Sequence, residues 1–226
     1  MRGAPPLPEL DFMHESPWLN LSLYPREVDY ARERPVAPTW HNLEASVRST
    51  DASWDGAPEG EGPLVYLSLG SLGSADVELM RSLIASLADS RYRVVVSKGP
   101  QHDQLELADN MVGEEFLPQT SVLPQVDLVI THGGNNTVTE CLWFGKPMVV
   151  LPLFWDQYDN AQRIHEQGFG VRLDTYGHEP AELTQSIEEL LADGAMRERL
   201  DAVSTRLHRS PGTVAAADLI EGLFRT

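Results

Sequence analysis

The chain has 226 residues, 42% of them apolar, and a formal net charge of −17. That length suits one ordinary domain plus extra segments, and the acidic balance argues against nucleic acid or an anionic membrane as partner, since phosphate-rich surfaces are met with Lys and Arg. No apolar run approaches membrane-spanning length, the first residues lack the apolar block of a signal peptide, and a lone cysteine, Cys141, excludes an internal disulfide and suits a reducing cytoplasm.

Residues 1–62 do not read as a complete domain. Met1–Leu10 is rich in proline and has no capped element, Pro17–Tyr24 alternates weakly as a strand would, and Ser49–Gly62 is a linker by composition. Trp18, Trp40 and Trp54 are many large rings for so little core, and they are expected to pack on a neighbouring domain.

Residues 63–226 alternate between strand and helix. Leu64–Ser68 is a strand feeding a Gly70 turn, followed by a helix to about Ala88 capped by Ser74 or Asp76, with Val77, Met80, Leu83, Ile84 and Leu87 at helical spacing. Tyr92–Ser97 is a second strand, Gln101–Asp109 a loop or short helix, Met111–Phe116 a third strand and Ser121–Val126 a short helix. Asp127–Thr131 is a buried strand, His132–Asn135 a glycine turn, Asn136–Phe144 a helix and Met148–Leu151 the next strand, closing a βαβ unit. Asp156–Gln167 is a helix, Phe169–Leu173 a strand or edge, and Pro180–Leu191, Ala195–His208 and Thr213–Leu223 are closing helices. The pattern is α/β, a doubly wound, Rossmann-like parallel sheet.

In such a sheet ligands bind beyond the carboxyl ends of the strands. The turn after Thr131 places Asn136 and Thr137 at a helix start, where free N–H groups and the positive end of the helix dipole favour an anion. His132 can add a ring N–H, and Glu140, one turn after Asn136, can take vicinal hydroxyls. Between Phe116 and Asn160 the only basic side chain is Lys146, so a phosphate held here is gripped by amides and an imidazole. A bare Gly-Gly turn with Asn136 or Thr137 as helix cap and nothing bound is the competing reading. A second polar cluster, Asp156–Asn160, follows another strand end and weighs against it.

Taken together, Phe116-Leu117-Pro118-Gln119, His132-Gly133-Gly134-Asn135-Asn136-Thr137, Glu140, Pro147 and Asp156-Gln157 resemble the donor-binding signature of the family 1 glycosyltransferases. Within that family the chain is most similar to the macrolide-glycosyltransferase-like branch, over roughly residues 60–226, and it also resembles plant and animal UDP-glycosyltransferases. The resemblance implies one half of the two-domain GT-B fold, with residues 63–226 binding the nucleotide sugar and residues 1–62 the end of an acceptor domain plus connector. It implies that Phe116 stacks on the base and Leu117 reads its edge. Gln119 and Glu140 would hold the ribose, and Ser71, His132, Gly134, Asn136 and Thr137 the diphosphate. Asp156 and Gln157 would hold the sugar hydroxyls. Plant members usually carry Trp where Phe116 stands; the smaller ring leaves uridine and thymidine both open.

The implied activity moves a hexose from a UDP-sugar to a small lipophilic acceptor hydroxyl with inversion. No cofactor or metal is implied, since no Asp-X-Asp triplet or His/Cys/Glu ligand cluster occurs. The family's general base stands near the start of the acceptor domain, before this chain begins, so no catalytic residue is expected here. His14, His41, His102, His165, His178 and His208 read as solvated residues, and Cys141 as a core thiol. A nucleotide-sugar-binding module, inactive without a separate or missing acceptor domain, is the alternative. A UDP-sugar epimerase shares the architecture but is not expected to show Asp156-Gln157 after Phe154-Trp155.

Overall fold

The computed structural model describes residues 14–30, 32–48, 53–209 and 212–225. The reading of Met1–Leu10, and that of the first four linker residues, lies outside them. Two three-residue strands, β1 (Asn20–Ser22) and β2 (Trp40–Asn42), pair in parallel apart from the main sheet.

β3 (Leu64–Ser68) is buried along its whole length. Its side chains alternate between two cores, as the period of a strand requires: Leu64 and Tyr66 enter one, Val65 and Leu67 the other. A short helix, α1 (Gly70–Gly73), follows, then α2 (Val77–Ala88), β4 (Arg93–Ser97), a 3-10 turn and β5 (Met111–Glu114). α3 (Gln119–Val122) leads to β6 (Leu128–Thr131), α4 (Asn135–Trp143), β7 (Met148–Val150), α5 (Gln157–Glu166) and β8 (Gly170–Arg172). Helices α6 (Pro180–Ala192), α7 (Gly194–His208) and α8 (Gly212–Gly222) close the chain. The main sheet has six strands in the order β5-β4-β3-β6-β7-β8, every neighbouring pair parallel. Helices α2 and α6 bury their apolar stripes on one face, α4, α5 and α7 on the other, which is the doubly wound arrangement.

Element ends moved for local reasons. Asp76, not Ser74, caps α2, its Oδ1 accepting from the Leu79 N–H at 3.1 Å. The expected helix over Ser121–Val126 starts at Gln119 and turns to 3-10 at Leu123, where Pro124 has no N–H to donate. α4 begins one residue early because Gly133, at φ +85°, completes the turn sooner, so Gly134 is the N-cap rather than Asn136 or Thr137.

The segment before β3 lies on this domain. Trp54 packs against its core, contrary to the expectation of a neighbouring domain for that ring, whereas Trp18 is 73% exposed. Arg206 on α7 donates to both Glu27, at 2.5 and 2.7 Å, and Glu44. Arg163 on α5 donates to the carbonyls of Val28 and Asp29 and lies over the Tyr30 ring. At Gly212 a Cβ would stand 2.4 Å from the Ala45 carbonyl, so only glycine lets α8 approach so closely. Arg206→Ala would take the guanidinium from two half-buried carboxylates, leaving Glu27 its 3.4 Å contact with the exposed Arg26, and we expect a loss of about 2 kcal/mol, with limited proteolysis appearing first between β1 and β3. Unchanged cleavage would show that the ion pairs are incidental.

Candidate nucleotide-sugar site

The order of the sheet reverses between β3 and β6, and the loops leaving these two strands open a crevice at their carboxyl ends. Gly70 and Ser71 open α1 directly after the first loop, and the second loop carries His132 to Gly134. The His132 imidazole lies between the two glycines. A Cβ on Gly70 would come within 2.8 Å of the ring and one on Gly134 within 2.6 Å. Burial holds the ring well below its ordinary titration range, at about 4, against the opposing pull of the Asp156 charge. The imidazole is therefore neutral at pH 7 and presents one N–H.

No side chain caps α4. Its first-turn N–H groups, those of Asn135, Asn136 and Thr137, have no partner within the helix, and they carry the positive end of its dipole. Beside them is a cavity of about 330 Å³ that brings together Ser71, Phe116, Leu117, Gln119, Asn136 and Glu140. Phe116 lies beyond the end of β5, 57% exposed at the cavity mouth. Gln119 is the hub of the polar side. Its Nε2 donates to Glu140 at 2.6 Å and to Thr137 Oγ1 at 3.4 Å, and its Oε1 accepts from the Tyr66 hydroxyl at 3.3 Å. Burial raises the Glu140 carboxyl above its ordinary range; the bond from Gln119 and the charge of Arg48 act the other way. A partly buried carboxylate with one donor already in place can accept further hydroxyls. Glu140→Ala should weaken nucleotide binding about tenfold, the loss of a hydrogen bond to a charged acceptor. Titration calorimetry measures it; unchanged affinity would place Glu140 outside the contact.

The second cluster divides. Asp156 is exposed and close enough to His132 to act on its charge. Gln157 is only 4% exposed, and its Oε1 accepts from the Leu153 and Phe154 N–H groups at 2.9 and 3.1 Å. Its carbonyl thus braces its own loop, a task the sequence did not indicate.

Two residues escaped the sequence reading, and a third was named there only as the end of the polar cluster Asp156–Asn160. Arg48 and Ser46 reach the cavity from the segment before β3, so one guanidinium supplements the amides. Asn160 is buried, donating to the Gly133 carbonyl at 2.8 Å and to Asn135 Oδ1 at 2.9 Å, and accepting from the Tyr24 hydroxyl at 2.6 Å. It ties the glycine turn to the loop of Asp156. Only its place one turn after Asp156 was a signal in sequence. Among the other histidines, His208 is exposed yet lies against the Trp143 ring, tilted by 44°, and meets its carbonyl at 3.1 Å, more than a solvated residue does. Among the described residues no group of three His, Cys, Asp or Glu side chains could hold a metal ion, and no helix is long and apolar enough to cross a membrane.

A parallel sheet that reverses its order at a switch point defines a Rossmann-like domain, here one half of the GT-B glycosyltransferase architecture. Residues 41–214 match the UDP-glucoronosyl and UDP-glucosyl transferase family, and the chain belongs to it. It is 32% identical over 171 residues to demethyllactenocin mycarosyltransferase of Streptomyces fradiae, covering 74% of this chain and 37% of that protein. It is 30% identical over 166 residues to the NDP-glycosyltransferase YjiC of Bacillus subtilis (strain 168), covering 72% and 42%. The solved glycotransferase of kitacinnamycin superposes with a TM-score of 0.81 at 30% identity, covering 90% of this chain and 54% of that one. The chain thus spans about two fifths of the length of these two curated relatives.

Proposed function

We propose that this chain is the donor half of an inverting, metal-independent glycosyltransferase that moves a hexose from a UDP-sugar to the hydroxyl of a small lipophilic acceptor. The observation that carries the reading is the juxtaposition of the uncapped α4 mouth, the neutral His132 between Gly70 and Gly134, and the cavity of Phe116, Gln119 and Glu140. One end suits a diphosphate, the other a nucleoside. In this reading Phe116 stacks on the base and Leu117 meets its edge through the backbone. Gln119 and Glu140 take the ribose hydroxyls. Ser71, His132, Gly134, Asn136 and Thr137 receive the diphosphate, with Arg48 adding charge. Asp156 takes sugar hydroxyls, and Gln157 contributes its remaining amide N–H groups. The names of the relatives, a mycarosyltransferase and an NDP-glycosyltransferase, support sugar transfer.

In the transfer step the acceptor oxygen bonds to the anomeric carbon as the bond from that carbon to the diphosphate breaks. The electron pair leaves with the nucleoside diphosphate, and the acceptor proton goes to a base outside this chain. Charge grows on the leaving phosphate, where preorganised donors lower the barrier most: the α4 amides, the imidazole N–H and Ser71. Because the chain spans less than half of those curated relatives, a second reading is a donor-binding module that turns over only with a separate acceptor half.

Calorimetry with UDP and UDP-glucose tests the shared part; no heat with either sinks both readings. Release of UDP in the presence of a phenolic acceptor, with and without a supplied acceptor domain, separates them. EDTA should leave any turnover unchanged.

A further inference from the structure

The loop between β7 and α5 holds a tryptophan where the backbone favours glycine. Trp155 has φ +54°, a left-handed conformation that it shares with only Glu44 among the described non-glycine residues. For a bulky aromatic residue that conformation is strained and persists only where its surroundings fix it. The surroundings do fix it. Gln157 Oε1 grips the N–H groups of Leu153 and Phe154, the Tyr158 hydroxyl donates to the Leu153 carbonyl at 3.2 Å, and Asn160 donates to Asp156 at 3.4 Å. Leu153 in turn abuts α1, its Cδ1 2.6 Å from where a Cβ on Gly73 would stand.

The bracing seats Leu153 against the core but leaves the indole outside it. The Trp155 side chain is 80% exposed and has one ring neighbour, Phe154, edge-on at 5.1 Å. An exposed indole on a strained, fully braced backbone is costly unless something uses its face. The next residue is Asp156, whose charge acts on His132. Trp155 thus lies in the loop leaving the carboxyl end of β7, next in the chain to the carboxylate that faces the diphosphate donors.

We infer that Trp155 is a specificity-determining residue for the transferred sugar, its indole giving an apolar face against which the hexosyl ring of the nucleotide sugar stacks. The inference rests on the donor-binding reading above. An aromatic face attracts the C–H groups on the apolar side of a pyranose and contributes little to a nucleoside diphosphate without its sugar.

The test compares UDP with UDP-glucose, and dTDP with dTDP-glucose, by calorimetry on the full chain. In the wild type the glucosyl form should bind about three- to tenfold more tightly than the bare nucleotide for at least one pair. Trp155→Gly should abolish that increment while leaving affinity for the bare nucleotide unchanged, and Trp155→Phe should keep part of it. Because glycine adopts the same backbone freely, Trp155→Gly should melt at or above the wild-type temperature. A sugar increment that survives in Trp155→Gly, its absence from the wild type, or a drop of several degrees in the melting temperature of that variant would overturn the inference while nucleotide binding stands. No binding of any of the four nucleotides would instead overturn the donor-binding reading beneath it.

Discussion

His132→Ala should lower the affinity for UDP by roughly tenfold to a hundredfold, the loss of one hydrogen bond to a charged oxygen in a partly desolvated crevice. The ring is wedged between Gly70 and Gly134, so its position is set before ligand arrives. Because burial holds it neutral to about pH 4, wild-type affinity should not rise between pH 8 and pH 5.5, as it would if an ordinary histidine were gaining charge. The same shift has a stability signature. The folded value lies below the unfolded value of 6.5, so the unfolded chain binds the extra proton first. The contribution is fully present above pH 6.5 and is lost as the pH falls toward 4. Across that window it amounts to about 3 kcal/mol. Urea unfolding at pH 7 and pH 4.5 should show that loss in the wild type and much less of it in His132→Gln. Unchanged UDP affinity in His132→Ala would leave the imidazole as a packing wedge only.

The second large effect belongs to Asn160. Its side chain joins the Gly133 carbonyl, Asn135 and the Tyr24 hydroxyl in one buried network. Asn160→Ala leaves a buried carbonyl and a phenol without partners, and should cost about 2–4 kcal/mol. In a chain of this size that is a fall in melting temperature of about 5–10 °C. Tyr24→Phe removes one bond and should cost less. Burial raises the Tyr24 phenol well above its ordinary range, so it remains a donor at any working pH. A double-mutant cycle decides whether the network is one unit: strictly additive losses would show that the contact at residue 24 is independent of the glycine turn.

The sheet and its helices were legible because parallel strands are continuous apolar runs and the turns between them carry glycine. Leu64–Ser68 and Asp127–Thr131 announce themselves in this way. Helix caps were less legible. Asp76 obeyed the rule for a carboxylate at a helix start, whereas the cap of α4 depends on a positive φ at Gly133 that no side chain advertises. The cavity was legible where its residues share one unit, as Asn136 and Glu140 do on α4. It was not legible where contact crosses the chain. Arg48 lies just before the stretch that reads as linker and Tyr24 at the end of a weakly alternating strand reading, and Tyr24 meets a partner 136 residues away. Gln157 shows the converse: its type and place point to a ligand, yet half its amide serves the loop beside it.

The main sheet stays open, with β5 and β8 at its two sides. An unpaired strand side is a template for another chain, and natural proteins blunt it with brevity and charge. Here the outer strands have four and three residues, ending on Glu114 and Arg172. Each offers too few free backbone groups, and too much charge, for copies of the molecule to zip together into fibrils.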